Sequence, residues 1–146
     1  MGSGRDDEIL DLAERELWRA FLSWSQSVIA QVGRELDEHA GLSIPDMEVL
    51  GRLWDNGGSI DQQELLSALR WSPSRLSHHL ARMDGRGLVH RETAGSGRRM
   101  TVSITEEGER QTEAAFGRLA SSIRRHFLDP MTPSEREALG SVANRR

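Results

Sequence analysis

Apolar residues in the middle of the chain repeat at helical spacing in two neighbouring segments. Asp61 stands three residues before Glu64, the spacing of a capping box, and marks the start of the first segment. Pro73 cannot continue that helix but suits the first turn of a second one, with Ser72 as its N-cap. The pattern therefore predicts two helices joined by a tight turn. Their buried faces would consist of Leu65, Leu66 and Leu69 in the first helix and Leu76, Leu80 and Met83 in the second.

After Gly87 the helical spacing of apolar residues ends, and apolar residues begin to alternate with polar ones. Residues 88–93 and 100–105 are predicted strands, because apolar side chains alternate with polar ones in the second of these segments. Residues 94–99 between them read Ala-Gly-Ser-Gly-Arg-Arg, a glycine-rich cationic hairpin tip that suits a narrow, electronegative minor groove. Two helices in a tight turn followed by such a hairpin predict a winged helix-turn-helix, whose second helix reads the DNA major groove.

Both ends of the chain predict long helices. Residues 6–39 contain no proline, and residues 105–128 form a second such segment that Pro130 closes. A helix of about 30 residues spans roughly 45 Å, which is longer than a small domain can cover by itself. Thr132 and Glu135 form a capping box that opens a short last helix. The apolar stripes are Leu17, Phe21, Trp24, Val28 and Leu36 in the leading helix and Ala115, Leu119, Ile123 and Phe127 in the trailing one.

These helices are expected to interlock with those of a second copy of the chain. A twofold homodimer would place its two recognition helices roughly 34 Å apart, one turn of DNA, so the double-stranded DNA site would be an inverted repeat. Residues 43–54 would form a linking helix between the leading helix and the winged module. Its capping box runs from Ser43 to Asp46, and Asn56-Gly57-Gly58 would end it.

The order of these elements carries a family resemblance. Gly87-Leu88-Val89, then the hairpin, then Ile104-Thr105-Glu106-Glu107-Gly108 resembles the MarR family of bacterial transcriptional regulators, and the resemblance covers nearly the whole chain. It implies a mainly α fold of the α+β class, a winged helix-turn-helix with long dimerisation helices. Residues 1–146 would form one domain, with residues 43–105 as the winged lobe and residues 6–39 and 106–146 as the dimerisation helices.

The hairpin tip departs from the family pattern. The family wing usually carries Asp-x-Arg, whereas Ser96-Gly97-Arg98 keeps the arginine and lacks the aspartate. The role of Arg98 in the minor groove therefore carries over, and the carboxylate that would brace the wing is missing.

Charge is distributed unevenly along the chain. The whole sequence carries a net charge of −4, yet residues 70–99 contain seven arginines and two acidic residues, a net charge of +5. All cationic residues are arginines, which favour bidentate contacts with phosphate and guanine. Basic charge thus coincides with the predicted DNA-binding module. The candidate DNA contacts are Ser72, Ser74, Arg75, Ser77, His78, Arg82, Arg86, Arg98 and Arg99.

Each candidate also has a structural interpretation. Ser72 would serve only as a helix cap, the charged residues of the second helix would form a solvated face, and Arg86 would hold the wing to the helix. His78 and His79 are unsuited to share a metal ion, because adjacent helical residues point about 100° apart. No carboxylate or thiolate stands at ligand spacing beside them, so no metal is expected.

The family resemblance also implies a small effector, aromatic or anionic, bound between the dimerisation helices and the DNA-binding lobe. Arg19 or His39 would offer charge to an acidic ligand. The alternative is that the tryptophans serve core and dimer packing. The candidate effector contacts are Trp18, Arg19, Trp24, His39, Met47 and Trp54.

Composition narrows the functional classes. The chain has no cysteine, which excludes disulfides, thiolate nucleophiles and thiol redox sensing, and no catalytic constellation or cofactor motif is recognised. No secretory leader or membrane-spanning run is recognised, so a cytoplasmic location is expected. We expect a sequence-specific DNA-binding transcriptional regulator, a ligand-responsive homodimeric repressor. The alternative is a winged-helix protein-interaction or nucleoid-type DNA-binding module without an effector. The position of the operator, and not the protein, decides between repression and activation.

Overall fold

Six α-helices and a small antiparallel sheet make up the structure, a computed structural model that describes residues 9–93, 95 and 97–145. The chain divides into two units: the first consists of residues 1–34 and 122–146, and the second of residues 35–121. The mainly helical fold class is confirmed. The helices are α1 (Leu12–Ala40), α2 (Ile44–Asp55), α3 (Gln62–Leu69), α4 (Pro73–Gly85), α5 (Glu106–Ile123) and α6 (Pro133–Ala143), and the strands are β1 (Ser59–Asp61), β2 (Val89–Thr93) and β3 (Met100–Ile104).

Residues 35–121 enclose the hydrophobic core. The predicted stripe of α4 is confirmed, since Leu76, Leu80 and Met83 are all fully buried. Leu65 is likewise the buried residue of α3. The core unites α2, α3, α4 and the sheet, and its fully buried members include Val49, Leu50, Leu53, Leu88, Val89 and Val102. Burial of a leucine side chain stabilises the fold by roughly 1.5–3 kcal/mol, so this cluster supplies the main driving force for folding of this unit.

The sheet has one strand more than the sequence pattern predicts. β3 is central, with β2 and β1 antiparallel on either side, and Val102 pairs with Arg91 and with Ile60. β1 is only three residues long, too short to show an alternating pattern, and it forms because β3 offers it a free edge. Ser96, the residue in place of the family aspartate, lies outside the described residues.

The junction between β3 and α5 explains the motif that flanks the hairpin. The Thr105 hydroxyl donates to the Gly87 carbonyl oxygen at 2.6 Å and accepts the Gly108 amide at 2.9 Å, so it caps α5 and holds it to the end of α4. A Cβ atom on Gly108 would lie 2.2 Å from the Leu88 carbonyl oxygen. Only glycine lets the first turn of α5 approach the backbone that enters β2 this closely.

The leading helix begins later than the sequence pattern predicts. Residues 9–11 are not helical, and α1 starts at Leu12 instead of residue 6; residues 6–8 lie outside the described residues. A capping box fixes this start: the Glu14 amide donates to the Asp11 carboxylate at 2.9 Å, and the Asp11 amide donates to the Glu14 carboxylate at 2.8 Å. The acidic residues near the terminus therefore cap the helix from Asp11 instead of extending it.

The trailing helix ends in a wider turn. After Ile123 the chain continues as a π-helical turn, Arg124–Leu128, which the Asp129 amide closes on the Arg124 carbonyl oxygen at 2.8 Å. The predicted capping box of the last helix is confirmed, with Thr132 as the N-cap and Glu135 as its partner.

Apolar side chains of the first unit are largely exposed in the single chain. The Trp18 and Phe21 rings lie 5.8 Å apart, and those of Trp24 and Phe127 lie 5.9 Å apart. Among the described residues, the exposed large apolar side chains of this unit are Ile9, Leu10, Leu12, Leu17, Trp18, Phe21, Trp24, Ile29 and Val142.

Replacement of Gly108 by alanine is expected to destabilise the fold by about 2 kcal/mol or more, because the added Cβ atom would overlap backbone that cannot move freely. Gly117 in the same helix provides the control, since a Cβ atom there would meet nothing within 4 Å. Gly117→Ala should be neutral or stabilise by up to about 1 kcal/mol. Urea unfolding of both variants measures the difference, and equal stabilities would contradict the role of Gly108.

Candidate nucleic-acid interface

The turn before α4 sets the direction of the helix. Arg70 ends α3 in the left-handed conformation, with φ of 57°. Ser72 then caps α4, its hydroxyl oxygen accepting the Arg75 amide at 3.2 Å, and Pro73 occupies the first turn. The sequence-based cap is confirmed. The hydroxyl retains one proton that a phosphate oxygen could accept, so capping and DNA contact are compatible at Ser72.

The outer face of α4 carries the predicted contact residues. Ser74, Arg75, His78 and Arg82 are exposed and Ser77 is half-buried. The helix thus separates two faces, an apolar one in the core and a polar one in solvent. All five side chains can donate hydrogen bonds to phosphates or base edges.

One of these cations is held against an aromatic ring. The Arg75 guanidinium carbon lies 4.0 Å from the centroid of the Trp71 ring, a cation-π contact. Trp71 in turn meets His79 edge-on, with ring centroids 5.4 Å apart. Trp71 therefore restricts the rotamers of Arg75 and positions its guanidinium at the start of α4.

A buried carboxylate lies behind α4. Asp46 is 2% exposed, and its Oδ2 atom accepts the Arg86 Nη1 atom at 2.8 Å and the Ser43 amide at 2.9 Å. His79 Nε2 lies 2.9 Å from Asp46 Oδ1. Arg86 also donates to the Gly41 carbonyl oxygen at 2.9 Å. Asp46 thereby joins the first turn of α2 to the middle and the end of α4.

Burial and neighbouring charges both shift the pKa values of Asp46 and His79. Burial raises the pKa of Asp46, but the Ser43 amide and the Arg86 guanidinium outweigh it and hold the pKa below its usual value. Burial lowers the pKa of His79, and the neighbouring Arg82 and Arg75 add to this effect against the opposing influence of Asp46. Asp46 is therefore ionised and His79 neutral at pH 7.

One sequence-based interpretation changes here. Arg86 does not hold the wing to the helix; it holds the end of α4 to α2 through Asp46 and Gly41.

The pair of His79 and Asp46 was not predicted from the sequence. One signal was available: His79 falls on the apolar stripe, three residues after Leu76, where a polar side chain needs a partner. His78 is exposed while His79 is buried, so the two rings face different surroundings.

The wing arginines lie beside the sheet. Arg98 and Arg99 are exposed, and the Arg99 Nε atom lies 4.0 Å from a carboxylate oxygen of Asp61, the N-cap of α3. With 84% of its side chain exposed, Arg99 gains little from this weak contact. Both guanidinium groups are therefore available to an external anion.

The effector candidates fall in both units. In residues 35–121, Met47 is packed in the core, His39 Nδ1 lies 3.3 Å from Arg118 Nη1, and Trp54 packs edge-on against Phe116 with ring centroids 5.1 Å apart. An effector would reach Met47 only by displacing core side chains, so we withdraw Met47 from the candidates. In the first unit, Trp18, Arg19 and Trp24 are exposed.

In the part of the chain that the structure describes, no group of three or more histidine, aspartate or glutamate side chains is placed to hold a metal ion. No helix within those residues is both long enough and apolar enough to span a membrane.

Known proteins share both the sequence and the fold of this chain. A sequence model described as a domain of unknown function, DUF7343, matches residues 42–104. The transcriptional regulator HosA from Escherichia coli O127:H6 is 33% identical over 120 residues, which cover 82% of this chain and 87% of HosA. AbsC, a MarR family transcriptional regulator from Streptomyces coelicolor, superposes with a TM-score of 0.85 at 30% identity over 93% of both chains. The chain belongs to the MarR family.

A second MarR family regulator was solved in complex with DNA. Sco3205 from Streptomyces coelicolor superposes with a TM-score of 0.87 at 25% identity, over 92% of this chain and 86% of that chain. MarR membership confirms the resemblance drawn from the residues that flank the hairpin. These relatives are transcriptional regulators and not enzymes.

Replacement of Asp46 by asparagine is expected to destabilise the MarR fold by about 2–4 kcal/mol, because it leaves Arg86 and His79 without their carboxylate. Asp55→Asn, at the exposed end of the same helix, should change stability by less than about 0.5 kcal/mol. The difference should shrink in acid below about pH 4, since a carboxyl with a lowered pKa loses its contribution as it becomes protonated. Urea unfolding at several pH values measures this, and a constant difference would contradict it.

Proposed function

We propose that this DNA-binding transcriptional regulator is a homodimeric, ligand-responsive repressor that occupies an inverted-repeat operator. The observation that carries the proposal is the exposed polar face of α4, which lies in one unit with the cationic wing. The proposed regulator needs no chemical reaction to act. Recognition helices read base edges in the major groove, and Arg98 enters the adjacent minor groove.

Electrostatics supplies most of the proposed affinity. Residues 70–99 carry a net charge of +5, while the acidic residues lie mainly elsewhere, so one face of the protein is favoured for approach to phosphate. Each phosphate that an arginine neutralises releases condensed counterions. If about eight phosphates are neutralised per dimer, the slope of log affinity against log salt concentration is near −7.

The homodimer is supported by the exposed apolar side chains of the first unit. Leu17, Trp18, Phe21 and Trp24 lie within about two turns of α1 and are each more than one third exposed in the single chain. Monomeric proteins rarely expose contiguous apolar surface of this kind. A second copy related by a twofold axis would cover it with the same side chains.

The effector and the repressor role complete the proposal. An aromatic or anionic effector would contact Trp18, Arg19, Trp24, His39 and Trp54, and would bind one spacing of the recognition helices more tightly than the other. The repressor role assumes an operator that overlaps a promoter, where the bound dimer would exclude polymerase by its bulk. The protein would act in the cytoplasm, where bacterial DNA is located.

Selection from a random duplex library, followed by titration of the enriched duplex at two salt concentrations, tests the proposal. An enriched inverted repeat bound by one dimer with steep salt dependence is the expected result. Weak binding without sequence enrichment would instead support a nucleoid-type or protein-interaction role. A salt slope near zero would contradict the electrostatic mechanism.

Arg98→Ala is expected to weaken operator binding by about a hundredfold, because each of the two subunits loses one groove contact of about tenfold, and to reduce the magnitude of the salt slope by about two. Arg52→Ala is the matched control, since Arg52 is an exposed arginine of α2 outside the proposed contacts. Fluorescence anisotropy with the selected duplex measures both variants. Full affinity in the Arg98 variant would remove the wing from the interface.

Leu17→Asp combined with Phe21→Asp is expected to shift the protein from dimer to monomer in sedimentation velocity, because buried unpaired carboxylates oppose association. Gln26→Asp, at an exposed polar position of the same helix, should leave the dimer intact. A monomeric wild-type protein at all accessible concentrations would contradict the dimer.

A further inference from the structure

The two ring nitrogens of His79 contact different partners. Nε2 faces the ionised Asp46, and Nδ1 lies 3.1 Å from the Nη2 atom of Arg82. A guanidinium has donors only, so Nδ1 must present its lone pair to Arg82. A carboxylate has acceptors only, so Nε2 must carry the proton. The geometry therefore selects the neutral imidazole with its hydrogen on Nε2.

Protonation of His79 would break one of these two contacts. A second hydrogen on Nδ1 would point at the Arg82 guanidinium, removing the hydrogen bond and placing two cations side by side. The 2.9 Å contact of Nε2 with Asp46 Oδ1 would survive and become an ion pair. Only the link to Arg82 depends on the neutral ring.

We propose that His79 is a positioning residue for Arg82, which it holds against α4 while the imidazole is neutral and releases toward DNA phosphate when the imidazole takes up a proton. The inference rests on the proposed function in one respect, the assignment of Arg82 as a DNA contact. Arg82 is exposed and belongs to the recognition helix, so a released guanidinium can reach the solvent side of α4.

Burial and two neighbouring arginines favour the neutral form of His79 in the free protein, against the opposing effect of Asp46. Asp46 faces it from α2, Arg75 and Arg82 face it from α4, and the Trp71 ring packs on it from the preceding turn. Arg86 already neutralises Asp46 through Oδ2. Asp37 at the end of α1 lines the same open groove of about 530 Å³. Burial together with the two arginines prevails over Asp46 and lowers the pKa of His79.

The sign of the linkage follows from what DNA does to Arg82. A phosphate that accepts the guanidinium leaves Nδ1 free, and its negative charge favours the imidazolium, so the pKa of His79 rises on binding. The DNA complex then binds more protons than the free protein, and affinity rises as pH falls. Each unit by which the pKa rises corresponds to up to tenfold in affinity.

The free protein provides the first test, which is independent of DNA. Nitrogen-15 NMR of the full-length protein should show His79 as the Nε2–H tautomer, with a titration midpoint below the usual value of 6.5. Arg82→Gln should raise that midpoint, because it removes a neighbouring cation. An Nδ1–H tautomer, or a titration that Arg82→Gln leaves unchanged, would overturn the link between the two side chains.

The second test is the pH profile of DNA affinity, measured with the selected duplex between about pH 8 and about pH 6. Wild-type affinity should rise several-fold over this range, and His79→Gln should remove most of the rise. His90→Gln is the control, since His90 is an exposed histidine of β2 that is not among the proposed DNA contacts, and it should keep the wild-type profile. Circular dichroism confirms that each variant is folded at each pH.

Arg82→Gln keeps the proposal falsifiable should His79→Gln fail to fold, because without a guanidinium to release the pH dependence should also be lost. Equal profiles for wild type and either variant would overturn the proposal while leaving DNA binding intact. Absence of DNA binding in every protein at every pH would instead contradict the proposed function, and the NMR result would stand by itself.

Discussion

A buried carboxylate must be paired, and in this protein that requirement determines where α4, the proposed recognition helix, lies. Asp46 belongs to the first turn of α2, yet two of its partners are His79, within α4, and Arg86, the C-cap of α4. An ionised group removed from water without partners costs several kcal/mol. Rotation or sliding of α4 would separate the partners, so the cluster opposes small displacements that apolar packing alone would tolerate. The core drives folding of this unit, and the carboxylate specifies one orientation of the helix within it.

The arginines of α4 and of its C-cap each have a different partner. Arg86 is committed to Asp46 and Gly41, Arg75 lies on Trp71, and Arg82 is bonded to His79. An arginine that is already ordered loses less side-chain entropy when it meets DNA than one that is free in solvent. α4 therefore presents Arg75 with its position already restricted by the fold. In the mechanism proposed for His79, Arg82 must first leave the imidazole before it can contact DNA.

Local chemistry could be read from the sequence and distant pairing could not. Ser43, Ser72 and Thr132 were assigned as caps correctly, because a cap depends on residues within four positions of it. The contacts of Asp46 with α4 span 33 and 40 positions of the chain, and no spacing rule connects residues so far apart. β1 could not be predicted for a related reason, since its three residues form a strand only where β3 offers them an edge.

The start of α1 shows a different limit. Residues 6–39 contain nothing that forbids a helix, so periodicity placed its beginning too early. Asp11 and Glu14 form the capping box that decides the boundary, but acidic residues are common in first turns whether or not they cap.

Arg70 carries a consequence of its own. A side chain in the left-handed conformation costs roughly 1 kcal/mol relative to glycine, and the turn between α3 and α4 is where glycine would fit without strain. Glycine there would also remove a positive charge next to the helix that approaches DNA. Stability therefore favours glycine at position 70, whereas electrostatic attraction to DNA favours arginine, and the chain carries arginine. Selection for stability alone would be expected to replace Arg70 by glycine early. That replacement would lower the rate at which the regulator finds its site.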